Sequence, residues 1–395
     1  MRFGKISGVS TRAARAHPRA SSLMALVGGL ALSGGIGLAA SESEPGYAPA
    51  TATAAPETTQ ATGSTPPGSA SPQPRADVFD HSPQHVPLRE LPIRRSPTPP
   101  SQLRRLEDFG DRLNTTSVSR DGTVTREPLS PELRQRLIDG IRRLDQEQRA
   151  PAQPGPQRSL REPLTPGAEQ PSPGSPPRRE AIIGRDDRER VYNTSTYPFS
   201  SVGYLQTGCT GTLIGPRHVL TAGHCVYNIK EDKWYSGVDF WPGQNGDDSP
   251  FGRITWARVL SVEGWTRDHQ KEFDYGMVIL DRDIGSRTGW LGFGWEEPMQ
   301  LYGVNFVGYP GDKPTHTMWR QYCQLTRITE RELYYDCDNT PGMSGGPIYV
   351  YQETDKKRTI YGINAYQYIG EDYNSGTRLN QANYQRILEW KQTYR

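Results

Sequence analysis

Ser344 lies in a glycine-rich stretch, residues 339–347, directly before the apolar run 348–350. Glycines on both sides of a serine let the backbone turn tightly, so that the hydroxyl projects from a loop and neighbouring amides point inward. A nucleophilic serine needs this arrangement, because its oxygen must be exposed beside preorganised N–H donors. Taken alone, the stretch is better explained as a hairpin turn, so the serine needs chemical partners elsewhere in the chain.

His224 and Asp274 are the candidate partners. His224 follows an apolar strand that includes residues 218–220, and Asp274 comes just before the apolar run 277–280. The chain order His, Asp, Ser, at separations of 50 and 70 residues, is the order of a chymotrypsin-type triad. We therefore predict that His224 takes the proton of Ser344 and that Asp274 orients the histidine ring.

Short strands must hold these side chains in place. After Val191, about a dozen short apolar runs alternate with turns rich in Gly, Pro, Asn and Asp, which is typical of antiparallel barrels. Residues 181–395 are long enough for two six-stranded antiparallel barrels, and we predict an all-β fold. Tyr384, Ile387 and Trp390 recur at helical spacing, which predicts a C-terminal helix within residues 381–393.

The composition separates this part from the residues before it. Of the 37 aromatic residues (9 Phe, 20 Tyr, 8 Trp), 33 follow residue 180, whereas 25 of the 34 prolines precede residue 181. The first part buries too little apolar surface to offset its ordering entropy, so we predict a largely disordered, Pro-rich pro-region over residues 41–180.

The net charge is +5 over residues 1–180 and −3 over residues 181–395. Because the basic residues are scattered, this charge gives no indication of nucleic-acid binding.

Residues 1–40 have the organisation of a secretory signal peptide: a basic start, a short apolar run and small residues at 39–41. An uncleaved membrane anchor is the alternative, but the Gly-rich run is only marginally long for a span of roughly 20 residues. We predict a secreted protein, extracellular or periplasmic, with no membrane association after signal removal.

A short helix near residues 131–148 is predicted inside the pro-region. Ser130 is a suitable helix cap, a proline follows it, and Leu133 and Leu137 begin an apolar face. The helix either docks on the catalytic part, as an inhibitory or folding-assisting propeptide, or belongs to a partly helical linker. The exposed Pro-rich segment meets an apolar run at Ala181, so we expect processing close to that residue.

All four cysteines, Cys209, Cys225, Cys323 and Cys337, lie in the second part. In an exported chain an even number predicts two disulfides. Of three connectivities we favour Cys209–Cys225 with Cys323–Cys337, because each pair brackets a predicted hairpin. A metal site is the alternative, but no Cys-x-x-Cys motif and no second histidine at ligand spacing support it, so neither a metal nor a cofactor is expected. The aspartates of residues 246–248 are better explained as a hydrated turn than as a calcium site.

Residues 181–395 resemble the secreted bacterial glutamyl endopeptidases, a branch of the chymotrypsin-fold serine proteases. The matching motifs are Ile-Gly-Arg-Asp-Asp-Arg at 183–188, Cys-Thr-Gly-Thr-Leu-Ile-Gly-Pro at 209–216, Thr-Ala-Gly-His-Cys at 221–225, Phe-Asp-Tyr-Gly at 273–276, Gly-Tyr-Pro-Gly-Asp-Lys at 308–313, Gly-Met-Ser-Gly-Gly-Pro at 342–347 and Tyr-Asn-Ser-Gly-Thr-Arg at 373–378. The resemblance implies two six-stranded barrels with the active site between them. It also implies an inactive precursor whose propeptide is removed near Ala181.

The resemblance assigns roles to individual residues. Ser344 would be the nucleophile, His224 the general base and then acid, and Asp274 the residue that holds the imidazole. The backbone N–H groups of Gly342 and Ser344 would form the oxyanion hole. Polypeptide substrates and the chain's own propeptide are the implied partners, and we expect a monomer.

The pocket for the substrate residue before the cut (S1) departs from the family pattern. The family binds a carboxylate there with a histidine, a threonine five residues before the nucleophile, and the mature amino terminus, here Ala181. Asn364 takes the place of the histidine and Asn339 that of the threonine. Asp338 stands where trypsin-like enzymes bind arginine or lysine, although glutamyl endopeptidases can carry an acid there too. A neutral amide is a weaker donor to a carboxylate than imidazolium, so we expect a weak preference for glutamate, with basic or broad specificity as the alternative.

A non-catalytic binding protein on the same scaffold is the main competing function. The complete set of His224, Asp274 and Ser344 argues against it, because binding alone requires none of them. An α/β-hydrolase esterase is excluded by chain order, since that fold places the histidine last. The sequence therefore predicts a secreted serine endopeptidase made as a zymogen.

Overall fold

The structure of this protein is a computed structural model that describes residues 79–80, 110–147, 160–163 and 181–395. The signal peptide predicted for residues 1–40 and the residues just before Ala181 lie outside these ranges. None of the helices within the ranges is both long and apolar enough to cross a bilayer.

Most of the regular elements are strands. In chain order they are β1 (Phe79–Asp80), β2 (Thr115–Ser119), β3 (Val124–Glu127), β4 (Glu189–Arg190), β5 (Val202–Leu205), β6 (Thr210–Leu213), β7 (His218–Thr221), β8 (Tyr227–Asn228), β9 (Lys233–Tyr235), β10 (Phe240–Pro242), β11 (Trp256–Val262), β12 (Gly276–Leu280), β13 (Gly292–Phe293), β14 (Gly303–Gly308), β15 (Trp319–Ile328), β16 (Glu332–Tyr335), β17 (Pro347–Gln352), β18 (Lys357–Tyr366) and β19 (Asn374–Arg378). The α-helices are α1 (Pro131–Glu147), α2 (Glu263–Thr266), α3 (Gly285–Thr288) and α4 (Gln381–Thr393). Short 3-10 turns cover Gly110–Leu113, Phe199–Ser201, Gly223–Cys225 and Lys271–Phe273.

The second lobe is a closed barrel of six strands. The order is β18-β17-β14-β15-β16-β19, and β19 pairs back onto β18. Its interior is apolar, with Val304, Phe306 and Ile348 fully buried. Two further strands pair with the barrel, β4 with β15 and β13 with β18. Of the two six-stranded barrels predicted from the sequence, this one is present as a closed ring, and the predicted C-terminal helix is confirmed.

The first lobe is a sheet in the order β10-β5-β6-β7-β12-β11-β2-β3. Six of these strands belong to residues 181–395. Phe240, in β10 at the edge of this sheet, exchanges two backbone hydrogen bonds with Ile254, which lies two residues before β11. The last two strands, β2 and β3, belong to residues 115–127, within the region predicted to be largely disordered, and no feature of the sequence predicted them.

Helix α1 docks on the C-terminal helix. Ser130 Oγ accepts a hydrogen bond from Leu133 N at 3.0 Å, which is the cap expected from the sequence. Leu133 and Leu137 are buried in the core of the first lobe. Gly140 lies so close to α4 that a Cβ at this position would be 1.2 Å from Gln381 Nε2. These contacts show that α1 is packed against residues 181–395.

Both predicted disulfides are present. Cys209 pairs with Cys225 across 6.0 Å between Cα atoms, and Cys323 pairs with Cys337 across 5.2 Å. The first bond ties the start of β6 to the turn that carries His224. The second ties β15 to the residues that follow β16, beside the predicted S1 pocket.

His218, at the start of β7, is expected to make the stability of the folded protein depend on pH. It is 3% exposed and its Nε2 lies 2.8 Å from the carbonyl oxygen of Tyr394. Burial, with Lys391 and Arg217 nearby, lowers the pKa of His218 from 6.5 to about 4. The unfolded chain therefore binds this proton at a higher pH than the folded chain, so the folded state loses stability as the pH falls from 6.5 to about 4.

We expect His218→Gln to remove up to about 3 kcal/mol of this acid destabilisation, because glutamine keeps a donor for Tyr394 but takes up no proton. Urea unfolding at a series of pH values between 4 and 7 measures it. The exposed His316 provides a control, His316→Gln. Equal acid dependence in wild type and His218→Gln would contradict the assignment.

Candidate active site

His224 sits in a single 3-10 turn directly after β7. Asp274 Oδ1 accepts from His224 N at 2.8 Å, and Asp274 Oδ2 lies 2.7 Å from His224 Nδ1. The approach requires Gly223, because a Cβ there would be 2.9 Å from Asp274 Oδ1. A carboxylate oxygen can only accept, so Nδ1 carries the ring proton and Nε2 is left as an acceptor.

Asp274 ends the turn Lys271–Phe273 and is completely buried just before β12. Besides His224, its Oδ2 accepts from the hydroxyl of Tyr366 at 2.6 Å, and its carbonyl accepts from Thr377 Oγ1 at 2.9 Å. Burial and the neighbouring Asp274 raise the pKa of Tyr366 well above its usual value, so the hydroxyl stays protonated and donates. Tyr366 was not identified from the sequence, where it is one of several tyrosines after β17.

Tyr366 acts as a positioning residue for Asp274, and its hydroxyl can be removed alone. We expect Tyr366→Phe to lower kcat about tenfold with an unchanged KM, because a hydrogen bond to a charged group contributes roughly 1.5 kcal/mol. Tyr349→Phe is the matched control, since the buried Tyr349 hydroxyl has no hydrogen-bond partner among the described residues. A wild-type kcat in Tyr366→Phe, or an equal loss in the control, would argue against this role.

Ser344 is 3% exposed, and its loop packs against the strand end that precedes His224. Thr210 N donates to the carbonyl of Ser344 at 2.8 Å. Gly345 has a φ of 82°, and a Cβ on it would lie 2.1 Å from Thr221 Oγ1 and 3.2 Å from Ala222 N. His224 Nε2 is buried and forms no hydrogen bond within the described ranges, so no bond joins it to Ser344. The structure thus brings His224 and Asp274 together, with the serine loop packed beside them.

Pro341 O, in the peptide that joins Pro341 to Gly342, accepts a hydrogen bond from Gly311 N at 2.7 Å. The amide of Gly342 belongs to the same peptide and therefore points in the opposite direction. Gly342 has a φ of 100°, and a Cβ would come within 2.3 Å of Tyr309 O, so only glycine suits this position.

The four residues assigned to the S1 pocket lie next to one another. Asn339 N donates to Ala181 O at 3.1 Å, and Asn364 Nδ2 donates to Asn339 Oδ1 at 2.8 Å. Asn364 also donates to Met343 O at 2.9 Å and accepts from the hydroxyl of Tyr335. Its amide is therefore fully used. Asn339 Nδ2, in contrast, is buried without a partner in the part of the chain that the structure describes.

Asp338 contacts the segment that follows Ala181. Its Oδ1 accepts from Ile183 N at 2.8 Å, and its Oδ2 lies 4.0 Å from Arg188 Nε. Burial raises the pKa of Asp338 to about 6, against the opposing effects of the Ile183 hydrogen bond and Arg188. The contacts tie the carboxyl to this segment, and a role in binding a substrate side chain stays a prediction.

Arg188 joins two of the sequence motifs. Its side chain is fully buried and forms paired hydrogen bonds with Asp186 at 2.9 Å. It also donates to Asp312 Oδ1 at 2.9 Å and to Thr340 Oγ1 at 3.2 Å. Lys313 bonds to Asp186 at 2.5 Å. The first residues after Ala181 are thereby bonded to the serine loop at Thr340 and to the loop after β14 at Asp312 and Lys313, a connection that the separate motifs did not reveal.

The disulfide Cys209–Cys225 lies beside His224. Within the described ranges these three residues form the one group of His, Cys, Asp or Glu side chains close enough to hold a metal ion, with ligand atoms within 4.8 Å of one another. Both sulfurs are bonded to each other, so they do not supply the thiolates that a metal requires. This set of residues does not fit a metal centre.

Comparison with known proteins places this chain among peptidases. A family model described as Trypsin matches residues 187–388. The glutamyl endopeptidase of Bacillus licheniformis is 32% identical over 236 residues, covering 57% of this chain and 73% of that protein. The extracellular metalloprotease of Bacillus subtilis is 32% identical over 222 residues, covering 53% and 69%. Despite the name of that relative, the residues around His224 do not form a metal site.

A solved structure of a Glu endopeptidase superposes on the chain with a TM-score of 0.50 and 27% identity. The match covers 54% of this chain and 100% of the other. The family model, the identity to the Bacillus licheniformis enzyme and the barrel architecture agree. The chain therefore belongs to the trypsin family of serine proteases, in the branch of the bacterial glutamyl endopeptidases, and is a serine peptidase.

Proposed function

We propose that the chain is a secreted serine endopeptidase that cleaves polypeptides through an acyl-enzyme, with His224, Asp274 and Ser344 as its catalytic residues. The 2.7 Å contact between His224 Nδ1 and Asp274 Oδ2 carries the proposal, since it fixes Nε2 as a proton acceptor. The glycine-rich serine loop beside it supports the same conclusion.

In the proposed reaction, Ser344 Oγ attacks the peptide carbonyl carbon while His224 Nε2 takes the hydroxyl proton. The carbonyl oxygen becomes an oxyanion that the amides of Gly342 and Ser344 stabilise. When the C–N bond breaks, His224 gives the proton to the leaving amine, and the acyl group stays on Ser344. Water, deprotonated by His224, then attacks the ester and releases the carboxylic acid product and Ser344.

A fluorophosphonate probe tests this function, because it forms a stable covalent adduct only with an activated serine. We expect matured protein to be labelled on Ser344, as identified by mass spectrometry of the tryptic peptide. Absence of labelling in correctly folded, matured protein would contradict the proposal and favour a binding protein on the same scaffold.

The chain is exported with residues 1–40 as its signal and matures by removal of the residues before about Ala181. The main support is the position of Ala181, which is 3% exposed and already bonded to Asn339. Arg188, in the same segment, is bonded to Asp312 and to Thr340. Removal of the residues before Ala181 therefore creates a new α-amine close to S1 with little rearrangement of the residues that follow it.

The S1 pocket prefers a side chain that accepts hydrogen bonds. Asn364 has no donor left for a substrate, whereas Asn339 Nδ2 has no partner among the described residues. This donor and the new amine at Ala181 favour glutamate, and a neutral donor distinguishes glutamate from glutamine only weakly. Basic or broad specificity is the alternative. The Asp338 carboxyl would favour a basic side chain only if its hydrogen bond with Ile183 N were broken.

Asn339→Asp exchanges the Nδ2 donor, which has no partner among the described residues, for an anionic acceptor of the same size. We expect the ratio of kcat/KM for glutamate over arginine substrates to fall about 100-fold, because a buried like charge repels the glutamate carboxylate. Fluorogenic peptides that differ only in the residue before the cut measure the ratio, and the exposed Asn193→Asp is the control. A wild-type enzyme that strongly prefers arginine would rule out this pocket assignment.

A further inference from the structure

Residues 110–147 complete the first lobe. Strand β2 forms five consecutive antiparallel pairs with β11, from Thr115 opposite Val262 to Ser119 opposite Arg258. In a chain that lacked β2, the backbone edge of β11 would be open. An open edge is a template for pairing with other chains, so proteins normally cover it.

The same segment shares its apolar side chains with the protease core. Five of them are at most 5% exposed and belong to one cluster with Val259 and Trp390 of the protease part. They are Leu113, Val118, Leu129, Leu133 and Leu137. Because burial is shared, departure of the segment would expose apolar surface on both sides of the interface.

Polar groups of the protease part also find their partners in this segment. The indole Nε1 of Trp390, a residue 1% exposed, donates to Thr115 Oγ1 at 2.7 Å. The hydroxyl of Tyr394 donates to Glu127 Oε1 at 2.8 Å. Losing Thr115 would leave a buried indole N–H without an acceptor, which is unfavourable.

A second anchor, residues 160–163, lies on the other lobe. The side chain of Asn305, 2% exposed, donates to Leu160 O at 2.9 Å and accepts from Glu162 N at 2.7 Å. Glu162 is itself buried and pairs with Arg358. Both ends of the Asn305 amide are therefore occupied by the pro-region.

These contacts differ from those of an inhibitor. An inhibitor that blocks the enzyme directly fills the substrate cleft, whereas the described residues of this segment bind β11, α2 and α4 on one lobe and Asn305 and Arg358 on the other. No disulfide of the described residues links it to the protease part. We infer that the fragment containing residues 110–163 stays bound after maturation as a noncovalent, non-inhibitory second chain of the enzyme. The inference rests on the proposed maturation cut near Ala181.

The test uses full-length Ser344→Ala protein with a recognition sequence for a site-specific protease placed within residues 164–180. After the cut, we expect both pieces to elute together in native size-exclusion chromatography and to separate only in concentrated guanidinium chloride. Separate elution of a still folded 181–395 part would overturn the inference.

Two substitutions in the β2–β3 hairpin test whether its buried face holds the fragment in place. Val118 is fully buried, whereas its cross-strand neighbour Val124 is 41% exposed. We expect Val118→Asp to release the fragment after the cut and Val124→Asp to retain it. If Val118→Asp fails to fold, elution of the cut parent protein still decides the question.

A parallel cut of protein with Ser344 intact tests the absence of inhibition. Fluorophosphonate labelling while the two pieces elute together supports the inference. Labelling that appears only after the fragment is removed would identify an inhibitor and overturn that part. Coelution without labelling in either state would contradict the proposed catalysis and leave retention supported.

Discussion

Ser344→Ala is expected to abolish both fluorophosphonate labelling and peptide hydrolysis, with kcat falling about a million-fold. The loss is large because the hydroxyl is the proposed nucleophile, and the hydroxyl of Thr340 in the same loop is bonded to Asp312 at 2.7 Å. The side chain is small, and Gly342 and Gly345 rather than the hydroxyl hold the loop in place. The thermal unfolding midpoint should therefore change little.

Ser286→Ala is the matched control. Ser286 is an exposed serine in α3 whose hydroxyl bonds only locally, to Asp283 at 2.6 Å. We expect full labelling and wild-type rates in this variant. Hydrolysis by Ser344→Ala at more than a trace rate, after purification that removes host proteases, would show that another group performs the reaction.

Asp274→Asn is expected to lower kcat about ten-thousand-fold while the fold is retained. Asp274 Oδ2 accepts both from Tyr366 and from His224 Nδ1, and Oδ1 accepts from the His224 amide. An asparagine NH₂ in the place of Oδ2 presents a donor to Nδ1. The imidazole then keeps its proton on Nε2 and can no longer take one from Ser344.

Asp281→Asn, at an exposed aspartate seven positions further along the chain, is the control for charge alone. Its rate should match that of wild type. Single-turnover kinetics with an activated ester separate acylation from product release. Acylation at a wild-type rate in Asp274→Asn would remove Asp274 from the mechanism, whatever the contact distances are.

Local features of the structure were predictable from the sequence because local rules determine them. Ser130 caps the helix that follows it, as its position before Pro131 predicts. Cysteines on either side of predicted hairpins form the two expected disulfides. Asp274 was chosen because it leads into a buried strand, and it is the residue behind the His224 ring. Each of these predictions depends on neighbours in the chain or on a known motif.

Features that depend on distant pairing could not be predicted. Strand β2 is rich in threonine and serine, so its sequence shows no apolar alternation, yet it is buried because β11 lies beside it. Tyr366 reaches Asp274 across 92 positions of sequence. The buried side chain of Arg188 pairs with Asp186 and also with Asp312, which is 124 positions away in the sequence. No spacing rule in one sequence specifies such contacts.

The hydrogen bonds of Ala181 restrict where an endoprotease can first cut the chain. Its carbonyl oxygen accepts hydrogen bonds from Asn339 N and Asn374 Nδ2, and the amide of Ile183 donates to Asp338 Oδ1. An endoprotease must draw several residues on both sides of a bond into an extended form, which these contacts resist. The initial scission should therefore fall upstream, among residues 164–180. Any residues left before Ala181 after that scission would have to be removed before the α-amine of Ala181 could reach the pocket.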